Sequence, residues 1–519
     1  MEALRGPHNI VRLIRTGATL ERTGAMPVIL DAFRAPPTVR WVLRGLCRPF
    51  AFLGYKGDPE MPPATRALTA LGPAYIKFGQ IMSTRPDVVG DELATQLRVL
   101  QDKLPPFPVR EALRMVEEEL EQPVDAIFSE FSEPVAAASI AQVHKARLRE
   151  TGEAVAVKVL RPGIERAFRR DVDAFYLAAR IIDLLAPQAR RLRPMDVIEH
   201  FDGVVQGELD LRLEVAAGAE YAEVTKDDDG FRLPTVHWFL SGRRVMTQGW
   251  VDGISAGDVM AIEAAGHDRY ALGERVLRLF LNHALRDGYF HADMHHGNLK
   301  IAPDGALVAY DFGIMGRIDE YTRRVYAEIL FGFIRRDYRR VAEVHFEAGY
   351  VPPDRDVDEF AQALRSVGEP IFGMDASRIS MGRLLSYLFE VTERFGMETR
   401  TELILLQRTM VVVEGVARSL NPQINIWKVA QPEVQAYVTR YVGPRALARD
   451  LVRTARVLSR FGPVLPEIAE SALIAARDRR VTPSVRVENA APAAIVFVAA
   501  AGGAAVGLLA GALLLAALL

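Results

Sequence analysis

Between His291 and Asn298 the chain reads His-Ala-Asp-Met-His-His-Gly-Asn, and thirteen residues after the asparagine come Asp311, Phe312 and Gly313. This set could carry phosphoryl transfer. That reaction leaves a protein little covalent work: it needs a carboxylate beside the acceptor hydroxyl and oxygen donors for a metal that neutralises phosphate charge. Asp293 is spaced to serve the acceptor, Asn298 to hold metal, and Asp311 to hold the metal that bridges phosphates. The three histidines with Asp293 also admit a transition-metal site, although their spacing is not the helical pair of a zinc protease. Upstream, Lys158 follows Val155, Ala156 and Val157. A lysine on such a strand can pair the α- and β-phosphates if a carboxylate on a following helix steadies it, and Glu214 is the candidate. Only eight of the 64 basic residues are lysine, which makes a lysine here less a matter of chance.

Positioning these groups takes both strands and helices. Residues 1–63 alternate basic and apolar types and are punctuated by prolines, as in amphipathic helices on anionic lipid or packed on the main domain. A helical extension is expected over 64–134, with its main helical run from Ala64 to Leu100, ended by Pro105, Pro106 and Pro108. Residues 135–250 form a mixed lobe, with strands at Val155–Leu160 and Arg244–Trp250 and helices from Glu165 to Ala222. Met246 would lie beside the adenine in a hinge strand. Residues 251–440 form a mainly helical lobe with short strands near 299–301 and 307–310, followed by a basic linker at 441–489.

The segment before Lys158 departs from a glycine-rich phosphate loop: it reads Ala136, Ala137, Ala138, Ser139, Ile140, Ala141, Gln142, Val143, His144. In this alanine-rich loop the sequence resembles the UbiB-like atypical kinases, the coenzyme Q biosynthesis kinase-like family. Lys77, Phe78, Gly79, Gln80 matches the family's Lys-x-Gly-Gln motif, and Glu208, Leu209, Asp210 its Glu-x-Asp motif. The resemblance implies that the helix bearing Lys77 and Gln80 is a regulatory lid whose lysine meets Glu208 and Asp210. It implies ATP and Mg2+ as cofactors, with residues 136–143, Lys158 and Met246 at the nucleotide, and a role in ubiquinone biosynthesis through ATP hydrolysis or small-molecule phosphotransfer. A catalytically silent scaffold for lipid-modifying enzymes and a true protein kinase are the rival readings. Met294 and His296 stand where the family commonly has proline, which leaves the loop backbone less constrained. Ala292 replaces the arginine of ordinary protein kinases, and no Ala-Pro-Glu segment follows Gly313.

Composition excludes other classes. A formal net charge of −2 leaves no basic excess for nucleic acid. One cysteine, Cys47, excludes an intrachain disulfide and reads as a buried thiol. No secretory signal opens the sequence. Ala490–Leu519 has no charged or polar side chain and would rise about 45 Å as a helix, enough for one transmembrane anchor. A hairpin turning at Gly502 and Gly503 is the alternative. Arg477, Arg479, Arg480 and Arg486 before it keep the preceding domain cytoplasmic, at a bacterial inner membrane. Gly503, Gly507 and Gly511 offer a face for a homodimer of tails, unless glycine and alanine are merely abundant. The expected fold is α+β: a two-lobed protein-kinase-like fold with an N-terminal helical extension, a helical C-terminal region and a C-terminal transmembrane helix. Membrane lipid, quinone precursors and quinone-biosynthesis enzymes are its expected partners.

Overall fold

The computed structural model describes residues 7–32, 37–83, 89–97, 99–100, 105–185, 194–373, 391, 394–397 and 401–441. Among the described residues the chain divides into two units, one taking Met1–Val215 and His237–Trp250, the other Ala216–Val236 and the residues from Val251 to Tyr441. Ala216–Val236, within the 135–250 lobe expected from the sequence, goes with the second unit.

In the first unit, β1 (Phe128–Ala137), β2 (Ala141–Leu148) and β3 (Ala154–Leu160) are joined by β5 (Val245–Gly249) in an antiparallel sheet ordered β1-β2-β3-β5. β1 begins at Phe128, seven residues before the strand pattern shows in the sequence, because bulges at Glu130 and Pro134 break its alternation. In β3 the period of two is clean. Val155, Val157 and Val159 are fully buried on one face, and Ala156 and Lys158 lie on the other. Each buried valine contributes roughly 1.5 kcal/mol or more to the fold.

The helical extension is not one run. Helix Pro63–Leu71 stops at Gly72, whose φ of +111° disfavours other residues, and Pro73 starts helix Pro73–Ser83, which carries Lys77. A Cβ at Gly79 would lie 2.4 Å from Leu100 and 2.6 Å from Leu68, so glycine is what lets these helices close. Leu20, Met26, Ile76, Leu97 and Leu100 share that core with Cys47, whose thiol pKa burial pushes up.

Helix Pro7–Thr23 docks on helix Ile164–Leu185 through Arg12 and the buried Asp171. Burial pushes the Asp171 pKa up to about 6 from 3.8, and Arg12 offsets part of the shift. A raised carboxyl pKa favours the fold most below 3.8, and that contribution is lost as pH climbs to about 6. Asp171→Asn should therefore gain stability relative to wild type by roughly 1–3 kcal/mol between pH 4 and pH 7. Denaturation midpoints of the two proteins across that range check this, and a constant difference contradicts it.

The second unit holds a sheet ordered β4-β9-β8-β6, made of β4 (Phe231–Arg232), β6 (Ile254–Ser255), β8 (Leu299–Ile301) and β9 (Leu307–Ala309). A separate ribbon pairs β7 (Tyr289–His291) with β10 (Met315–Arg317). β4 runs parallel to β9, which explains why 216–236 belongs here. Helix Arg269–Asn282, capped by Asp268, unwinds through a π-turn at His283–Asp287. Gly288, at φ +68°, then turns the chain into β7, and a side chain there would strike the Ile318 carbonyl. Helices Glu320–Arg335, Tyr338–Glu347, Val357–Gly373, Thr401–Leu420 and Ile426–Tyr441 follow. Among the described residues no helix is long and apolar enough to cross a membrane. The Ala490–Leu519 anchor expected from the sequence lies outside them, as does the 442–489 stretch of the linker.

Candidate active site

In the first unit Lys158 Nζ lies 2.8 Å from both Glu214 carboxylate oxygens. The pair is mostly enclosed, with side-chain exposures of 21% and 9%. Glu214 sits in the first turn of helix Leu211–Val224, and the Leu211 N–H is held by the Arg243 carbonyl just before β5. Met246 stands opposite Lys158 in the β3–β5 ladder, and residues directly opposite in an antiparallel pair share a face. The lysine and the expected adenine neighbour thus project from the same side of the sheet. Ala138–Ile140 form the loop between β1 and β2, closed by the Ala138 N–H donating to the Ala141 carbonyl at 2.8 Å. Ala136 and Ala137 are the last residues of β1, and Ala141, Gln142 and Val143 the first of β2.

Lys77 Nζ lies 2.5 Å from Glu208 Oε1, both side chains largely enclosed. An aromatic cluster sets this meeting. Phe78, next to Lys77, packs on Phe175 and Phe201 at 5.6 and 5.4 Å, which joins its helix to helices Ile164–Leu185 and Pro194–Glu208. The family-based expectation that Lys77 also meets Asp210 needs correction. Asp210 is forked by Arg212 at 2.8 and 2.6 Å, and these hydrogen bonds hold its carboxyl below the usual carboxylate range. Gln80 is half-buried on the same helix, three residues from Lys77.

In the second unit the Asp293 N–H donates to His291 Nδ1 at 3.0 Å, and the Asn298 side-chain NH2 donates to the Asp293 carbonyl at 3.0 Å. The second bond assigns the amide: with its nitrogen used inside the loop, Asn298 presents its oxygen outward. Burial lowers the His291 pKa, so the ring is neutral and able to accept that N–H. Leu299 pairs with Ala309, so Asn298 and Asp311 leave the same end of the β8–β9 hairpin. An amide oxygen and a carboxylate are hard donors that suit magnesium, so the residues fit the metal that the chemistry requires. Asp293 itself has His295 Nε2 at 3.6 Å from one carboxylate oxygen. Phe312 packs on helix Leu211–Val224, where a Cβ at Gly218 would come within 2.6 Å of its ring.

Several supports have no sequence signal. Thr409 Oγ1, fully buried on helix Thr401–Leu420, is shared between the Leu405 carbonyl of its own helix and the Ala292 carbonyl at 3.0 Å. Ser419 of the same helix meets His296 Nε2 at 2.7 Å. The departure from proline at 296 therefore does not leave the loop loose, because a side-chain anchor holds the backbone instead. Asp228, His283 and Asp287 bring potential metal-ligand atoms within 4.8 Å of one another. Arg286 fills that space, donating to both aspartates at 2.7 to 2.8 Å, and Tyr221 meets the other nitrogen of His283. Together they form an internal ion-pair network under Phe312 and His291, both in ring contact with Tyr221.

The ABC1 atypical kinase-like domain matches residues 99–345, and the UbiB helical domain matches residues 364–425. The probable protein kinase UbiB of Marinobacter nauticus is 38% identical over 416 residues, 79% of this chain and 76% of that protein. Its counterpart from Aeromonas salmonicida is 39% identical over 436 residues, 82% of this chain and 80% of that protein. Among solved structures, Rv3197 of Mycobacterium tuberculosis, in complex with erythromycin, is similar with a TM-score of 0.51 and 26% identity. That match covers 68% of this chain and 90% of Rv3197.

Proposed function

The chain belongs to the UbiB family of atypical kinase-like proteins, and on that premise we propose that it is a membrane-associated enzyme that consumes ATP with magnesium in support of ubiquinone biosynthesis. The observation that carries the reading is the Lys158–Glu214 pair, closed through both carboxylate oxygens at 2.8 Å. A lysine held in this way is ready to take the charge of the α- and β-phosphates without reorganising first. Magnesium, when bound, would neutralise charge developing on the transferred phosphoryl group, and Asn298 and Asp311 would hold it. Asp293 would orient and accept the proton of the attacking hydroxyl, from water or from a small molecule. The Lys77–Glu208 contact supports a restrained site, one that favours ATP hydrolysis or small-molecule transfer over protein phosphorylation.

The membrane part of the reading rests on a different observation. Helix Pro37–Cys47 continues into the 3-10 turn Arg48–Leu53, and Trp41, Arg44, Arg48 and Phe52 follow one another along its solvent side. Trp41 is 79% exposed and Phe52 70%, an aromatic and basic edge suited to an anionic lipid surface. With Ala490–Leu519 as a single anchor, the kinase-like domain would face the cytoplasm at the bacterial inner membrane and meet quinone precursors or their enzymes there. Pairing of tails through Gly503, Gly507 and Gly511 would make a homodimer.

ATP labelled on its γ-phosphate tests the reaction class. In membrane vesicles with magnesium, the label is expected in free phosphate or in a small lipid-soluble product. Label on protein chains would favour a protein kinase, and label left wholly in ATP would favour a scaffold.

A further inference from the structure

Arg161, the first residue after β3, touches the alanine-rich loop in three ways. Its guanidinium donates through Nε and one Nη to the Ala138 carbonyl at 3.0 and 2.9 Å, and its backbone N–H donates to the Ile140 carbonyl at 2.8 Å. The other Nη reaches back to the Pro105 carbonyl at 2.9 Å, with the guanidinium 5.9 Å from the Phe107 ring. A second residue makes the same bridge. The buried Gln142 accepts the Phe107 N–H at 3.0 Å and donates to the Phe107 carbonyl at 3.2 Å, pairing that backbone as a neighbouring strand would. Its remaining amide hydrogen goes to His144 Nε2 at 2.9 Å, and the other ring nitrogen donates to the Ser132 carbonyl at 2.8 Å. Nearly every polar group in this latch has a partner, which fixes one geometry.

Two consequences follow from ordinary peptide chemistry. A trans peptide carries its C=O and N–H on opposite sides, so a guanidinium on the Ala138 carbonyl decides which way the Ser139 N–H points. Backbone N–H groups are what a loop of this kind offers to phosphates. Pro105 also stands five residues beyond Leu100, whose side chain fills the space above Gly79 in the motif that carries Lys77. Named contacts thus hold Pro105 and Phe107 to Arg161 and Gln142, and Leu100 to the helix bearing Lys77.

We propose that Arg161 and Gln142 are positioning residues that set the alanine-rich loop for nucleotide and tie its conformation to the extension bearing Lys77. This rests on the ATP-consuming reading above and assigns its regulation. Neither residue touches the reacting atoms; both act through the loop backbone.

The test uses the full-length protein in lipid nanodiscs, with Arg161→Met, Arg161→Lys and Lys77→Ala. Mg·ATP affinity is measured together with hydrogen exchange of the peptides covering 136–141 and 105–108. Arg161→Met is expected to weaken ATP by about ten-fold, the effect of losing charge-assisted bonds, and to speed exchange in both peptides. Helix Arg269–Asn282 should exchange as in wild type. Arg161→Lys keeps the charge but cannot fork, and should fall between the two. Lys77→Ala should loosen the loop peptide when Arg161 is present and add nothing when it is methionine. An Arg161→Met protein with wild-type affinity and wild-type loop exchange overturns the proposal. Should that variant fail to fold, Arg161→Lys decides on the same two readouts. A wild-type protein that binds no ATP would end the ATP-consuming reading instead, and loop exchange would then decide the latch alone.

Discussion

Asp311→Asn is expected to slow phosphate release from Mg·ATP by on the order of a thousand-fold while leaving the fold intact. The substitution keeps size and shape. It also keeps an oxygen for the Gly313 N–H, which lies 3.1 Å from Asp311 Oδ1, and leaves Phe312 against Gly218. What it removes is the negative charge at the end of the β8–β9 hairpin, and with it most of the affinity for a hard divalent cation. Excess magnesium should recover part of the rate. Full activity in the variant would remove Asp311 from the metal site. A general collapse of the fold would show as a lowered denaturation midpoint, which the isosteric change should not produce.

Lys158→Met should lose turnover by roughly a hundred-fold and lose stability as well. Methionine retains the apolar stem of the lysine but leaves Glu214 enclosed without its cation. Because the carboxylate is only 9% exposed, stranding it costs about 1–3 kcal/mol. The diagnostic is the double variant. Lys158→Met with Glu214→Gln removes the stranded charge, so its stability should exceed that of Lys158→Met alone while its turnover stays low. Equal stability in the single and double variants would mean that the pair is solvated and loosely held, contrary to the closed geometry. Denaturation midpoints and phosphate release, read on the same preparations, separate the two effects.

The residues proposed to carry the chemistry could be picked out in the sequence because the requirements of phosphoryl transfer are local. Asp293 and Asn298 must share one loop, Asp311 must follow a strand, and Lys158 must alternate with apolar neighbours, so spacing alone speaks for them. Lys158 with Glu214 and Lys77 with Glu208 were reachable through motif resemblance, since 56 residues separate the first pair. Asp210 went wrong for a local reason: Arg212, two residues on, outcompetes a distant lysine for its carboxylate. The holds on the catalytic loop were not legible at all. Thr409 and Ser419 lie 117 and 123 residues from their partners, and a threonine or serine on an amphipathic helix carries no mark of such a role. Arg161 is one of many arginines, and its latch depends on where Pro105 and Phe107 fall in space. In the fold, long apolar periodicity located the helices well. The missed pieces were short: β4, β6, β7 and β10 run two or three residues each, too few for any period to show. The break at Gly72 between two proline-started helices was hidden inside a run that looked continuous.

The central claim is that the Asn298 and Asp311 end of the β8–β9 hairpin, with Asp293, serves a magnesium-dependent consumption of ATP. It is tested most directly by phosphate release from ATP by the full chain in anionic lipid, with and without magnesium, beside Asp311→Asn. Magnesium-dependent release by wild type, lost in Asp311→Asn, is the predicted result. Tight nucleotide binding with no release by wild type under any lipid condition would contradict the claim, and would make the protein a nucleotide-binding scaffold.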